Sequence, residues 1–145
     1  MTDTLRQWRF VDNGLAHLKL HETVLPEPGP GQILVRIEAA SLNYRDLMLA
    51  EGRYLPTTLP YVPGSDLAGV VQAVGPGVRR WKGGERVIGT YAAGWLDGAA
   101  PADVVPLGFP GPGALASHVV LDEQWAVAAP QSLTAAEAST LPIAG

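Results

Sequence analysis

The sequence predicts a mainly β fold: a partly open barrel of short strands with short helices and a connector helix at the carboxyl end. Two observations carry this. Gly 17 and Pro 13 make up about a fifth of the 145 residues and follow no period, so turns are frequent. Between them lie short apolar runs, roughly ten residues apart. At 47% hydrophobic and 17% charged, the chain can fold around one core without metal or disulfide staples.

The elements follow in order. Arg6 to Val11 and Leu18 to Val24 alternate partially around Asp12-Asn13-Gly14 and predict a hairpin. Three prolines, Pro26, Pro28 and Pro30, then forbid a ladder. Ile33, Val35, Ile37 and Ala39 point one way and Leu34, Arg36, Glu38 and Ala40 the other, the clearest strand of the chain. Asn43 to Glu51 reads as a short helix with Leu47 and Met48 inward, stopped by Gly52. Pro60 and Pro63 keep Leu59 to Gly64 extended. Asp66 to Val74 is an apolar strand closed by Gly75-Pro76-Gly77, and Glu85 to Tyr91 is another. Ala92 to Gly113 has no period, a length of loop that is uncommon unless functional. Leu115 to Leu121 and Trp125 to Ala129 return to strand character, and Thr134-Ala135-Ala136-Glu137 spells a capping box that opens a helix.

Charge and composition exclude several classes. A net charge of -4, with no basic run longer than Arg79-Arg80, gives nucleic acid no electrostatic footprint. Zero cysteines remove disulfides, thiolate metal sites and a cysteine nucleophile. No apolar stretch approaches membrane-spanning length and Met1 to Phe10 has no signal-peptide core, so the expectation is a cytoplasmic protein without a membrane partner.

The polar residues Asn43, Tyr44, Arg45 and Asp46 leave the best strand at its end, where binding groups are commonly placed, and Asn43 and Asp46 share a helix face. The competing interpretation is an N-cap and its first-turn acid. Tyr54, just past the helix, offers a phenolic donor to the same place; alternatively it is a packing tyrosine. Ser65 lacks the G-x-S-x-G elbow of a hydrolase, and Gly75-Pro76-Gly77 lacks the third glycine and the helix of a dinucleotide loop. His17 and His21 lie roughly 13 Å apart along a strand, too far to share a metal ion.

Taken together, several segments resemble the medium-chain dehydrogenase/reductase superfamily. They are Pro28-Gly29-Pro30-Gly31-Gln32-Ile33-Leu34-Val35-Arg36-Ile37, Ser41-Leu42-Asn43-Tyr44-Arg45-Asp46, Gly52-Arg53-Tyr54, Pro63-Gly64-Ser65-Asp66-Leu67-Ala68-Gly69-Val70-Val71 and Gly84-Glu85-Arg86-Val87. The likeness is to the zinc-independent quinone oxidoreductase and alcohol-dehydrogenase-like branch. It implies a GroES-like domain over residues 1–130, with residues 131–145 beginning the connector to a Rossmann domain that lies outside this sequence. It implies NAD(P)H as the cofactor of the intact enzyme and a quinone, enone or other carbonyl-type small molecule as substrate.

In zinc-dependent members a cysteine stands at the position of Asn43 and a Gly-His-Glu at Gly64-Ser65-Asp66, so the resemblance implies no zinc here. It marks Asn43, Asp46 and Tyr54 as site-lining, with Tyr54 as candidate proton donor. Asn43 and Met48 are the candidate cofactor contacts, although Met48 is equally a candidate for helix packing. A stand-alone GroES-like binding or oligomerisation module, and a homo-oligomer, are the other expectations.

Overall fold

The computed structural model describes residues 4–54 and 58–144. Strands β1 (Thr4–Phe10) and β2 (Leu18–Val24) form the expected antiparallel hairpin, Phe10 facing Leu18 and Thr4 facing Val24. A single 3-10 turn, Leu15–His17, completes the connection. The main sheet has five strands in the order β8-β3-β4-β5-β9. Its members are β3 (Gln32–Ser41), β4 (Asp66–Val74), β5 (Arg86–Gly89), β8 (His118–Asp122) and β9 (Ala126–Ala128). All its pairings are antiparallel, and the sheets do not close into a complete barrel.

The sheet is central because its sequences are apolar on the inward face. Ile33, Val35, Leu67, Val71, Val87, Leu107 and Leu121 form the main core, each at 1% exposure or less. Gly69 on β4 is required by close approach: a Cβ there would lie 2.2 Å from the Arg36 carbonyl oxygen. A second cluster joins Phe10, Leu49, Ala50, Tyr61 and Phe109, seating helix α1 (Tyr44–Ala50) against the hairpin. In this cluster the Tyr61 ring sits 5.4 Å from Phe10 and 5.1 Å, edge-on, from Phe109. Helix α1 ends where expected, with Gly52 at φ +67°.

Several expectations shift. The strand read over Glu85 to Tyr91 is confined to β5, and those read over Leu115 to Leu121 and Trp125 to Ala129 shorten to β8 and β9. The expected loop from Ala92 to Gly113 contains a small ladder, β6 (Ala92–Ala93) with β7 (Val105–Pro106). Helix α1 is rotated from its predicted phase. Leu47, expected inward, is 37% exposed and Met48 is half-buried, while Arg45, Asp46, Leu49 and Ala50 are buried. The reason is chemical: Arg45 and Asp46 find polar partners inside, so the apolar pattern alone misassigns the face.

Helix α2 (Ala135–Ala138) starts at the predicted capping box and packs on β3 and β4, and α3 (Leu141–Ala144) follows it. Ala138 is fully buried against Ala68, Ile88 and Ala129. Among the described residues no helix is long and apolar enough to cross a membrane.

Candidate active site

The end of β3, the first turn of α1 and the start of β4 meet at one place, because β3 and β4 pair so that Ser41 faces Asp66. Asn43 is extended and precedes the helix; its backbone N–H donates to Asp46 Oδ2 at 2.9 Å. The capping interpretation is therefore correct as far as it goes. The Asn43 side chain does more: its Nδ2 donates to Asp66 Oδ2 at 3.0 Å. An amide nitrogen carries two hydrogens, so one remains for another acceptor.

Asp66 is fully buried, and its Oδ1 has no partner among the described residues. The Ser41 hydroxyl lies 3.2 Å from Asp66 Oδ2 and 2.9 Å from the Ser139 carbonyl. Burial pushes the Asp66 carboxyl above its usual value; hydrogen bonds from Asn43 and Ser41 oppose the rise, and the nearby Asp46 charge adds to it.

On the other side of Asp46 sits Ser65, fully buried, whose Oγ is 3.4 Å from Asp46 Oδ1. Arg45 Nη1 donates to Ser65 Oγ at 2.7 Å and to the Leu107 carbonyl at 3.1 Å, and Nη2 donates to the Phe109 carbonyl at 2.5 Å. The sequence names Arg45 only among the polar residues at the end of the best strand and gives it no role. Its only signal there was its place between Asn43 and Asp46, since Ser65 lies twenty residues onward and the Leu107 and Phe109 carbonyls more than sixty. The guanidinium carbon also lies 5.4 Å from the centre of the Tyr54 ring and 5.5 Å from that of Tyr91. Burial raises the Tyr91 hydroxyl above its usual value, and Arg45 opposes this.

Asn43 and Asp46 line a cavity of about 290 Å³ whose other walls are apolar, among them Phe10, Leu18, Leu42 and Leu47. Tyr54, 42% exposed, is not in that wall; it connects to it through Arg45, Ser65 and Asp46. From helix α1 the cavity takes Leu47 and not Met48.

Asn43 and Ser65, where the resemblance puts zinc ligands in other members, carry an amide that donates to Asp66 and a hydroxyl that accepts from a guanidinium. Among the described residues no three His, Cys, Asp or Glu side chains are grouped to hold a metal ion.

The fold is that of a GroES-like domain of the alcohol dehydrogenase type. The alcohol dehydrogenase GroES-like domain family matches residues 29–131, and the chain belongs to that family. It is 40% identical over 137 residues to the zinc-type alcohol dehydrogenase-like protein C1773.06c of Schizosaccharomyces pombe, covering 91% of this chain and 39% of that one. To the quinone-oxidoreductase QR1 of Triphysaria versicolor it is 37% identical over 142 residues, covering 96% of this chain and 38% of that protein. A solved structure described as an alcohol dehydrogenase of Sinorhizobium meliloti 1021 superposes with a TM-score of 0.91 at 48% identity, over 98% of this chain and 43% of that one. The chain spans about two fifths of the length of these relatives.

Proposed function

We propose that this chain is the substrate-side domain of an NAD(P)H-dependent oxidoreductase that reduces a quinone, enone or other carbonyl-type acceptor without zinc, paired in the intact enzyme with a Rossmann domain. The observation that carries this reading is the pair Asn43 and Asp46 in a wall otherwise built of apolar side chains. A flat, largely apolar acceptor suits such walls, and the free Nδ2 hydrogen of Asn43 suits its carbonyl oxygen.

The donor set does not fit Zn²⁺. Neither an amide nitrogen nor a neutral hydroxyl is a good zinc ligand, and the Arg45 charge 2.7 Å from Ser65 Oγ opposes a dication there. The acceptor's carbonyl is then polarised by hydrogen bonding alone. A dihydronicotinamide, with Asn43 and Met48 as the candidate contacts from this side, supplies the hydride when bound. This chain's part is to orient the acceptor through Asn43 and Asp46 and to deliver one proton to the hydride-reduced acceptor, for which Tyr54, outside the cavity wall, is the candidate donor to a part of the acceptor that extends beyond it.

The test is Tyr54→Phe in a full-length enzyme carrying this domain. Loss of a positioned general acid is expected to lower kcat on the order of 10²-fold, with nucleotide affinity changed by no more than about twofold. Unchanged turnover removes Tyr54 from the mechanism.

A further inference from the structure

Arg45 is 9% exposed, yet no carboxylate among the described residues lies at ion-pairing distance from it, and its Nε has no hydrogen-bond partner. A buried, unpaired cation is costly, and hydrophobic side chains of similar volume commonly replace such groups without loss of stability. Its contacts differ in kind from those of a surface arginine. The terminal nitrogens are fixed by two carbonyls of the 107–109 segment and by Ser65 Oγ, beside Asp46, while the guanidinium carbon lies about equally far from the rings of Tyr54 and Tyr91.

Tyr54 stands just beyond the end of α1 and is 42% exposed. A tyrosine so placed has two side-chain torsions to restrain, and a proton donor misplaced by about 1 Å loses on the order of 10² in rate. The guanidinium is itself fixed at three points, so it is a rigid surface against which the ring can rest. A lysine could neither present a planar face nor bond three oxygens from two nitrogens.

We propose that Arg45 is a positioning residue for Tyr54, fixing the orientation of that ring relative to Asp46 and tying it to the 107–109 segment. The catalytic consequence rests on the reading of Tyr54 as proton donor; the structural consequence does not. Arg45 touches no reacting atom and acts through Tyr54.

Two measurements test this. In the full-length enzyme, Arg45→Lys is expected to lower kcat at least about tenfold while the KM for nucleotide stays within about twofold. In a Tyr54→Phe background the same substitution is expected to cost no more than about twofold, because there is no donor left to position. An equal loss in both backgrounds overturns the proposal and leaves Arg45 a structural clamp.

The second measurement needs no turnover. With 3-fluorotyrosine in the 145-residue chain, the fluorine resonance of Tyr54, assigned by its disappearance in Tyr54→Phe, is expected to move toward the value of a free tyrosine in Arg45→Lys. A resonance that stays in place overturns the proposal. If Arg45→Lys does not fold, Arg45→Met, an uncharged side chain of similar length with no planar face, takes its place in both measurements with the same expectations. Should Tyr54→Phe alone leave turnover unchanged, the donor reading fails, and the fluorine signal still decides whether Arg45 holds the ring.

Discussion

Two helices of this chain begin on the same pattern, a polar cap residue followed three positions later by an acid. At α2 the pattern is closed on itself. Thr134 donates to Glu137 Oε2 from its backbone (2.8 Å) and from its hydroxyl (2.7 Å), Glu137 N–H returns a bond to Thr134 Oγ1 (3.3 Å), and both residues are exposed. At α1 the acid still accepts from the cap backbone, but Asp46 is 8% exposed and also faces Ser65, and the Asn43 side chain reaches away to Asp66. The difference teaches that one local device serves two ends. Where it sits in water it only caps the start of a helix. Where neighbouring strands bury it and offer further polar partners, it becomes the wall of a cavity.

The largest expected effect that separates the two is that of Asn43→Ser. Serine is as good an N-cap as asparagine but takes the amide donor from buried Asp66, so a loss of about 1–3 kcal/mol is expected, read from the urea midpoint at constant slope. Serine has no amide to share between Asp66 and a substrate carbonyl, so in a full-length enzyme kcat/KM is expected to fall at least about tenfold, the equivalent of one lost hydrogen bond of about 1.4 kcal/mol. A variant that is stable and fully active would reduce Asn43 to the role Thr134 plays.

This contrast also marks what could be read in the sequence. The hairpin, β3, β4, the stop at Gly52 and the box at Thr134 were legible because each rests on neighbours in the chain: alternation, a positive φ, a cap three residues from its acid. Asn43 and Asp46 were legible as a pair for the same reason. The burial of Arg45 was not, because it depends on the Leu107 and Phe109 carbonyls, which a loop without any period delivers from far along the chain. With Arg45 and Asp46 buried, Leu47 turns outward, against the expectation from the apolar pattern. The β6 and β7 ladder was missed because two-residue strands leave no alternation to count.

A smaller effect is expected at Asp66, where the cavity wall is anchored. Its folded-state carboxyl is raised by burial, so relative to the unfolded chain it contributes stability at low pH that is lost as the pH rises through that raised value. At pH 8 the buried carboxylate is a cost, with Oδ1 lacking a hydrogen-bond partner among the described residues and with Ser41 able to give its single hydroxyl hydrogen to either Asp66 or the Ser139 carbonyl; the Ile143 backbone N–H offsets the cost in part. Asp66→Asn keeps an oxygen to accept from Asn43 and removes the charge. The variant is expected to melt higher than the parent at pH 8, and the gain is expected to shrink to nothing below about pH 4, where the unfolded aspartate is also protonated. Equal melting temperatures at pH 8 would mean that the carboxylate is fully compensated.

The smallest effect belongs to Glu137. Its carboxyl is held below its usual value by the Thr134 backbone N–H and hydroxyl, so its contribution has the opposite sign to that of Asp66: present above the unfolded value and lost as the pH falls through the folded one. Glu137→Gln retains an acceptor oxygen for the Thr134 amide and gives up only the charge beside the helix N-terminus, an exposed interaction that salt screens. The expected result is a slightly lower melting temperature at pH 7 and low ionic strength, a difference that disappears in high salt and again once the pH falls below the lowered folded value. Turnover should not change, because no bond of this cap leads toward Asn43. A loss of activity without loss of stability in Glu137→Gln would show that α2 reports to the cavity through Ser139 and Ser41, and the contrast between the two helix starts would then be one of degree.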